Sequence, residues 1–260
     1  MNNIINILNT YAPISLAEME GVELMNRKET KYFFNRSKLP GILQLMKPNY
    51  KVLEIGEPRL FNYRNIYFDT NDFFFYTQHH NERVNRYKIR IRQYLESNLN
   101  FLEIKFKTNT GRTIKSRIKT PEFTEVLNEE AKQFIRIHSP FNPDELKPTL
   151  RNDFKRFTLV NKNLKERATI DTDLVLEIPG QKKIFSNLCI AELKIDGSSS
   201  GSVFKIAMRD NLCPEARISK YSVGAAFMYD HLKQNNFKFK KLQINRIENV
   251  QPTTTNDGRH

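Results

Sequence analysis

The sequence predicts an α+β protein: an antiparallel β-barrel forming a tunnel with a basic lumen, flanked by helices. Three observations predict it. Residues 86–119 hold the runs RYKIRIRQYL, FLEIKFKT and GRTIKSRIKT, in which charged and apolar residues alternate with a period of two, the period of a strand with one face of each kind. The same alternation recurs in RKETKYFF, ERATID and CIAELKID. Helical segments between and after these runs supply apolar surface to coat the greasy side of a closed sheet, which turns the charged side inward.

In chain order, residues 15–25 read as a helix, 27–34 as a strand, and Leu39 to Met46 as a helix with Pro40 in its first turn. FNYRNIYFDT reads as a strand continuing to about Tyr76. In the three alternating runs, Lys88, Arg90 and Arg92 share one face, as do Glu103, Lys105 and Lys107, and Lys115, Arg117 and Lys119. Thr120-Pro121-Glu122 reads as a helix start with proline at the first helical position, opening FTEVLNEEAKQFIRI. Pro140, Pro143 and Pro148 punctuate a loop. Strands resume with RNDFKRFTLV, KERATIDTDLVLEI and LCIAELKID, with turns at Asn161 to Asn163 and at Pro179-Gly180. Helical stretches follow at 201–212 and 222–233, and FKFKKLQINR reads as a solvated tail. The organisation expected is an N-terminal helical segment over 1–24, one tunnel domain over 25–232, and a basic, polar tail over 233–260.

Composition narrows the class of partner. With 260 residues, 39% hydrophobic content and 19 Phe, the chain can bury a core without staples. Cys189 and Cys213 are too few for a disulfide framework and lack metal-ligand spacing, so reduced thiols and a cytoplasmic location are expected. No apolar run of about 18 residues is present. The formal net charge of +13 points to a polyanion, whether nucleic acid, anionic lipid or phosphate compound. A strand face rich in Arg and Lys repels itself unless carboxylates or a bound anion compensate it, and guanidinium forks suit phosphate oxygens. A single-strand nucleic-acid binder needs aromatics on the charged face for base stacking, whereas Phe and Leu fall mainly on the opposite face here, so no nucleic acid is expected. Several residues have plainer readings. His79 and His80, adjacent on a strand, face opposite ways; Asp69 and Asp72 flank a turn; GSSSGS lacks the Lys-Ser/Thr of a phosphate loop. Tyr32, Tyr94 and Tyr221 suit either a core or an adenine platform.

Eight short motifs then occur in one order: R-x-E-x-K-Y at Arg27 to Tyr32, YFDT at Tyr67 to Thr70, K-I-R-I-R-x-Y at Lys88 to Tyr94, and L-E-I-K-x-K at Leu102 to Lys107; then K-x-R at Lys115 to Arg117, R-x-T-x-D at Arg167 to Asp171, E-L-K at Glu192 to Lys194, and S-K-Y at Ser219 to Tyr221. In this order they resemble the VTC domain, the polyphosphate polymerase module of the vacuolar transporter chaperone complex and its bacterial relatives, within the triphosphate tunnel metalloenzymes. The resemblance spans about residues 25–232. It implies transfer of the ATP γ-phosphoryl group to a growing polyphosphate chain, with release of ADP and help from a divalent metal, Mn2+ or Mg2+. The phosphate-binding, catalytic positions it implies are Lys31, Arg90, Arg92, Lys105, Lys115, Arg156, Arg167 and Lys220, with Lys107, Arg117 and Lys194 as further cofactor-binding cations. Glu192 is the implied metal ligand, joined by Glu29 and Glu103 unless these pair with neighbouring Lys and Arg. Triphosphatases of the superfamily open with E-x-E-x-K; Arg27 at the first Glu position disfavours a hydrolytic metal site and favours a polymerase. The alternatives are a triphosphatase of the same fold and a non-catalytic polyphosphate- or nucleotide-binding module. Fungal complexes of the family couple synthesis to a membrane, so a separate membrane partner is possible.

Overall fold

The computed structural model describes residues 2–20, 27–163, 166–196 and 201–250. Helix α1 (Asn2–Asn9), β1 (Pro13–Ile14) and α2 (Leu16–Glu20) precede β2 (Arg27–Asn35). Next come α3 (Leu39–Met46), β3 (Tyr50–Leu53), β4 (Phe61–Thr70) and α4 (Phe74–His80). A meander of β5 (Arg86–Tyr94), β6 (Leu99–Lys107) and β7 (Thr113–Thr120) leads to α5 (Glu129–His138). The chain continues through β8 (Leu146–Asn161), β9 (Glu166–Ile178), β10 (Gln181–Phe185) and β11 (Leu188–Asp196), and then through α6 (Val203–Asp210), α7 (Lys220–Met228) and α8 (Lys238–Asn249).

The main strands form one antiparallel path in the order β2-β11-β9-β8-β4-β5-β6-β7. The path curls on itself: Lys105 of β6 feels the charges of Glu29 and Lys31 of β2 and of Glu192 of β11, which lie near the other end of the path. Among the described residues no ladder joins β2 to β7, so the sheet is an open curl and not the closed barrel expected. The outer edge of β2 is already occupied. The segment after α6 bridges Tyr32 through Glu215, and Ala216 donates its N–H to the Lys31 carbonyl at 2.7 Å. An edge covered in this way has fewer free groups to offer another strand.

The convex side carries the apolar half of the alternation. Phe34, Phe157, Leu159, Ile170 and Leu193 bury against Leu8, Leu43, Phe204 and Met208 of α1, α3 and α6, while Ile89, Ile91, Leu102 and Ile104 belong to the cluster that takes in Ala131 and Ile135 of α5. Each such side chain contributes about 1.5–3 kcal/mol when fully buried. The concave side is divided. One end is apolar and holds α7, which is buried nearly all round. Its seat depends on Gly224, where a Cβ would meet Leu150 Cδ2 at 2.7 Å. The other end is charged.

Several local expectations are corrected. The strand expected to reach Tyr76 stops at Thr70, because the buried Asp69 carboxylate accepts from the N–H groups of Thr70, Phe75 and Tyr76 and so starts α4. His79 and His80 therefore stand on a helix, with His80 buried. Asn128, not Thr120, caps α5, accepting from Ala131 N–H at 2.9 Å. FKFKKLQINR is not a solvated tail: buried Phe237 and Ile244 anchor it, and Lys241 donates to the Ala226 carbonyl at 2.8 Å. Strands β1, β3 and β10 had no periodicity long enough to announce them. Part of the helix expected at 15–25, residues 197–200 of GSSSGS, and the Arg27 side chain lie outside the described residues.

Candidate functional site

The charged end of the concave face collects charged side chains from β2, β5, β6, β8, β9 and β11 and from one helix. On β9, Asp171 is 3% exposed and receives Arg156 of β8 as a fork, Nε at 2.5 Å on Oδ1 and a terminal nitrogen at 2.8 Å on Oδ2. Lys220, the first residue of α7, pairs with the same Oδ2. Burial raises the Asp171 carboxyl, but Arg156 and Lys220 outweigh it and hold it below the usual carboxylate range. Ser219 caps α7 by accepting from Ser222 N–H, so the positive end of this helix lies beside the same pair.

Arg90 donates from Nε at 2.7 Å and from a terminal nitrogen at 2.5 Å to the one oxygen Oε2 of Glu103 of β6, and also reaches the Tyr67 hydroxyl at 3.3 Å. Against the cost of burial, Arg90 and Arg92 hold Glu103 down to about 2. Arg92 is buried and donates to Asn65 Oδ1 at 2.9 Å; Asn65 in turn donates to Asn152 Oδ1 at 2.8 Å. Aromatic rings lie beneath these cations. Arg92 and Arg156 stand 5.3 and 5.2 Å from the Tyr63 ring centre, Lys220 stands 4.6 Å from that of Phe154, and Tyr63 stacks on Phe154. Aromatics are thus not confined to the opposite face. They hold the cations by cation–π attraction.

A third group lies where β2 meets β11. Lys31 pairs with Glu29 and lies 3.5 Å from Glu192, which also receives Lys194 at 2.6 Å. Despite burial, Lys194 and Lys31 keep the Glu192 carboxyl well below its ordinary range. The three carboxylates expected around a metal do not meet, since Glu103 is taken by Arg90; among the described residues no group of three or more His, Cys, Asp or Glu side chains could hold an ion. Glu29 and Glu192 alone still suit one: a cationic ammonium already sits between them, and Mg2+-type ions are held by one or two carboxylates with substrate phosphates completing the shell.

On β5–β7 the balance changes. In register across these strands, Arg90 stands opposite Glu103 and Glu103 opposite Arg117, whereas the next row is Lys88, Lys105 and Lys115. The charges acting most strongly on half-buried Lys88 are Lys105, Lys31, Arg86 and Arg90, and these, after desolvation, lower its ammonium well below the ordinary value. Lys107, Lys115 and Arg117 are exposed, although Lys115 and Arg117 stand opposite Lys105 and Glu103 and Lys115 is among the charges that act on Glu103; Arg117 lies 4.9 Å from the Phe101 ring centre. Half-buried Arg167 stands opposite Lys194.

The sequence reading left Lys88, Asp171, Asn65, Tyr63 and Phe154 unassigned. The parity of strand alternation was the available signal for Lys88 and Asp171. For Phe154 it was hidden by the irregularity of the β8–β9 ladder between Asp153 and Lys155.

Such a curled sheet, with a cation-rich concave face on an aromatic floor, defines a binder of phosphate-type polyanions. The family model of the VTC domain matches residues 26–229, and the chain belongs to that family. No curated protein matches the sequence. Solved structures similar to it include the PH1819 protein of Pyrococcus horikoshii OT3, at 13% identity, with 78% of this chain and 98% of that one covered and a TM-score of 0.46. Another is HpAC1 of Hippeastrum, described as a putative adenylyl cyclase with a dominant triphosphatase activity, at 14% identity, 78% and 96% coverage and a TM-score of 0.48. The RNA triphosphatase Pct1 of S. pombe matches at 10% identity, 96% and 93% coverage and a TM-score of 0.31. No helix among the described residues is long and apolar enough to cross a membrane.

Proposed function

We propose that the protein is an ATP-dependent polyphosphate polymerase, which transfers the γ-phosphoryl group of ATP to the end of a polyphosphate chain and releases ADP. The observation that carries this reading is the convergence of Arg90, Arg156 and Lys220 on one face, each with a short tether to a carboxylate, in a chain of the VTC domain family. A terminal phosphate oxygen of the chain attacks the γ-phosphorus, the bond from that phosphorus to the β–γ bridging oxygen breaks, and the electron pair leaves with ADP. The attacking oxygen is already ionised, so no general base is required. Because the transition state is loose, the work of the protein is positioning and neutralisation of charge.

Arg90, Arg92, Arg156 and Lys220 bind and align the reacting phosphates, and Lys31, Lys105 and Arg167 extend that grip toward β2. Glu29 and Glu192 would hold a divalent ion, Mn2+ or Mg2+, which when bound draws charge from the phosphate oxygens. Lys31, tethered to the same carboxylates, orients them. Purified protein incubated with ATP and Mn2+ is expected to yield ADP and a long-chain phosphate polymer, read by gel electrophoresis and 31P NMR. Orthophosphate as the only phosphate product would make the protein a triphosphatase, and absence of ATP turnover would make it a binding module.

A further inference from the structure

Two of the sequence motifs hold residues that the phosphate site leaves without a part: Tyr67 and Asp69 of YFDT, and Tyr221 of S-K-Y. The fold buries all three and brings them together. Asp69, near the end of β4, is 0% exposed. Its Oδ1 accepts from the N–H groups of Thr70 and Phe75, both at 2.8 Å, and its Oδ2 accepts from Tyr76 N–H at 2.9 Å and from the Tyr221 hydroxyl. The three backbone bonds stay within β4 and the start of α4. The fourth crosses to α7, 152 residues further along the chain. A buried carboxylate is costly unless its lone pairs are used, so the phenol and the carboxylate hold one another in place.

Tyr221 directly follows Lys220 in the first turn of α7, so a bond that fixes its ring fixes the start of the helix. Further along, α7 is seated by Gly224 against Leu150 and by the Tyr229 hydroxyl, which donates to the Thr149 carbonyl at 2.6 Å. The first turn is tied to β4 by Tyr221 and Asp69. Lys220 reaches Asp171 of β9 as well, but through a flexible four-carbon stem that can follow a displaced backbone. The Tyr221 ring carries the connection further. It stacks on the Tyr67 ring, centres 5.1 Å apart and planes 27° apart, and the Tyr67 hydroxyl accepts from Arg90 at 3.3 Å. Thr149 Oγ1 braces the pair, 3.4 Å from the Tyr221 hydroxyl and 3.2 Å from the Tyr67 carbonyl. Lys220 and Arg90 are thus both linked to one buried carboxylate, each by a short run of contacts.

We propose that Asp69, acting through Tyr221, is a positioning residue of the phosphate site: their hydrogen bond sets where α7 starts and so places the Lys220 ammonium, and the stacked Tyr67 passes the same constraint to the Arg90 guanidinium. The inference rests on the reading of the basin as a phosphoryl-transfer site. Displacing an aligning group by about 1 Å can lower a rate by about a hundredfold, whereas Coulomb attraction to a polyanion changes little over that distance. Loss of the bond therefore shows in kcat and not in binding. Tyr221→Phe removes the hydroxyl and keeps the stacked ring. It is expected to lower kcat for ADP release from ATP about tenfold or more, with KM for ATP and the affinity for tripolyphosphate within about threefold of wild type.

Asp69→Asn keeps a carbonyl oxygen for the N–H groups of Thr70 and Phe75 but puts a donor where the Tyr221 hydroxyl is accepted. It is expected to lower kcat at least as far, and the double variant Asp69→Asn, Tyr221→Phe no further than Asp69→Asn alone, since the two act as one unit. Tyr50→Phe is the control: it breaks the same kind of bond, from Tyr50 to buried Glu166 in the convex-side core, and should lower the melting temperature with kcat within about twofold of wild type. ADP release gives the ratio of variant to wild type whether polymer or orthophosphate forms, so the product tests the polymerase reading and the ratio tests the positioning. An unchanged kcat in Tyr221→Phe, losses that multiply in the double variant, or an equal loss in Tyr50→Phe overturns the positioning and leaves the polymerase reading in place. A wild-type protein that neither binds tripolyphosphate in isothermal titration nor releases ADP overturns both.

Discussion

Within β5, Arg90 and Lys88 are two residues apart on one face, yet their circumstances are opposite. Arg90 stands across from Glu103 and is held by two hydrogen bonds to its carboxylate, while Lys88 stands across from Lys105 and feels mainly other cations. One residue type at one register position of β6 makes the difference. Where a carboxylate faces the cation, the protein is complete without ligand and the cation is fixed in place. Where a lysine faces it, the like charges repel, and an anionic ligand brings the missing compensation. The basin thus has a rigid, compensated end around Arg156, Asp171 and Lys220, and a charge-hungry end along Lys88, Lys105 and Arg86.

The largest test of this contrast is Asp171→Asn. It leaves Arg156 and Lys220 buried with no carboxylate between them, and breaking a buried pair of this kind costs about 3–5 kcal/mol. Urea denaturation should show that loss, and a change under about 1 kcal/mol would remove the distinction between the two ends. A pH series comes next. Glu103 falls from an ordinary 4.5 to about 2 in the folded protein, so its contribution is present above about pH 5 and lost as pH falls toward 2. That contribution is of the order of 3 kcal/mol. Wild type should lose it as pH falls from 5 to 2, and Glu103→Gln, measured alongside, should show no such component.

The smallest effect has the opposite sign. Lys88→Met should raise stability by about 1 kcal/mol, since it removes a cation facing cations, while weakening tripolyphosphate binding. Between the folded value of Lys88 and 10.5 the unfolded chain holds a proton that the native chain lacks, so wild-type stability rises with pH in that window and the variant's rise is smaller. A destabilised Lys88→Met protein would mean that the lysine row is compensated after all.

Most of the charged face was legible because a period of two needs only a few residues to declare itself, and KIRIR and LEIKFK declare it without interruption. Closure was not legible. Whether β2 meets β7 depends on a covering segment, 215–216, whose sequence carries no periodicity. The helical plug was half legible: the stretch at 222–233 reads as helix, but its place inside the curl depends on the contact of Gly224 with Leu150 and Leu176, which only the tertiary fold creates. In the site, the cations were readable from alternation, whereas their partners were not. Glu103 looks as suited to a metal as Glu192 does until the register sets Arg90 opposite it.

Asp171 has one more consequence, for timing. It sits on two of the cations proposed to grip phosphate, so every arriving phosphate group contends with an anion already in place. A resident competitor lowers affinity mainly by speeding departure, because related complexes differ chiefly in their off-rates. If the basin works as proposed, letting a charged chain move on after each addition, a carboxylate that never diffuses away keeps the grip from becoming a trap: Arg156 and Lys220 always have somewhere to return.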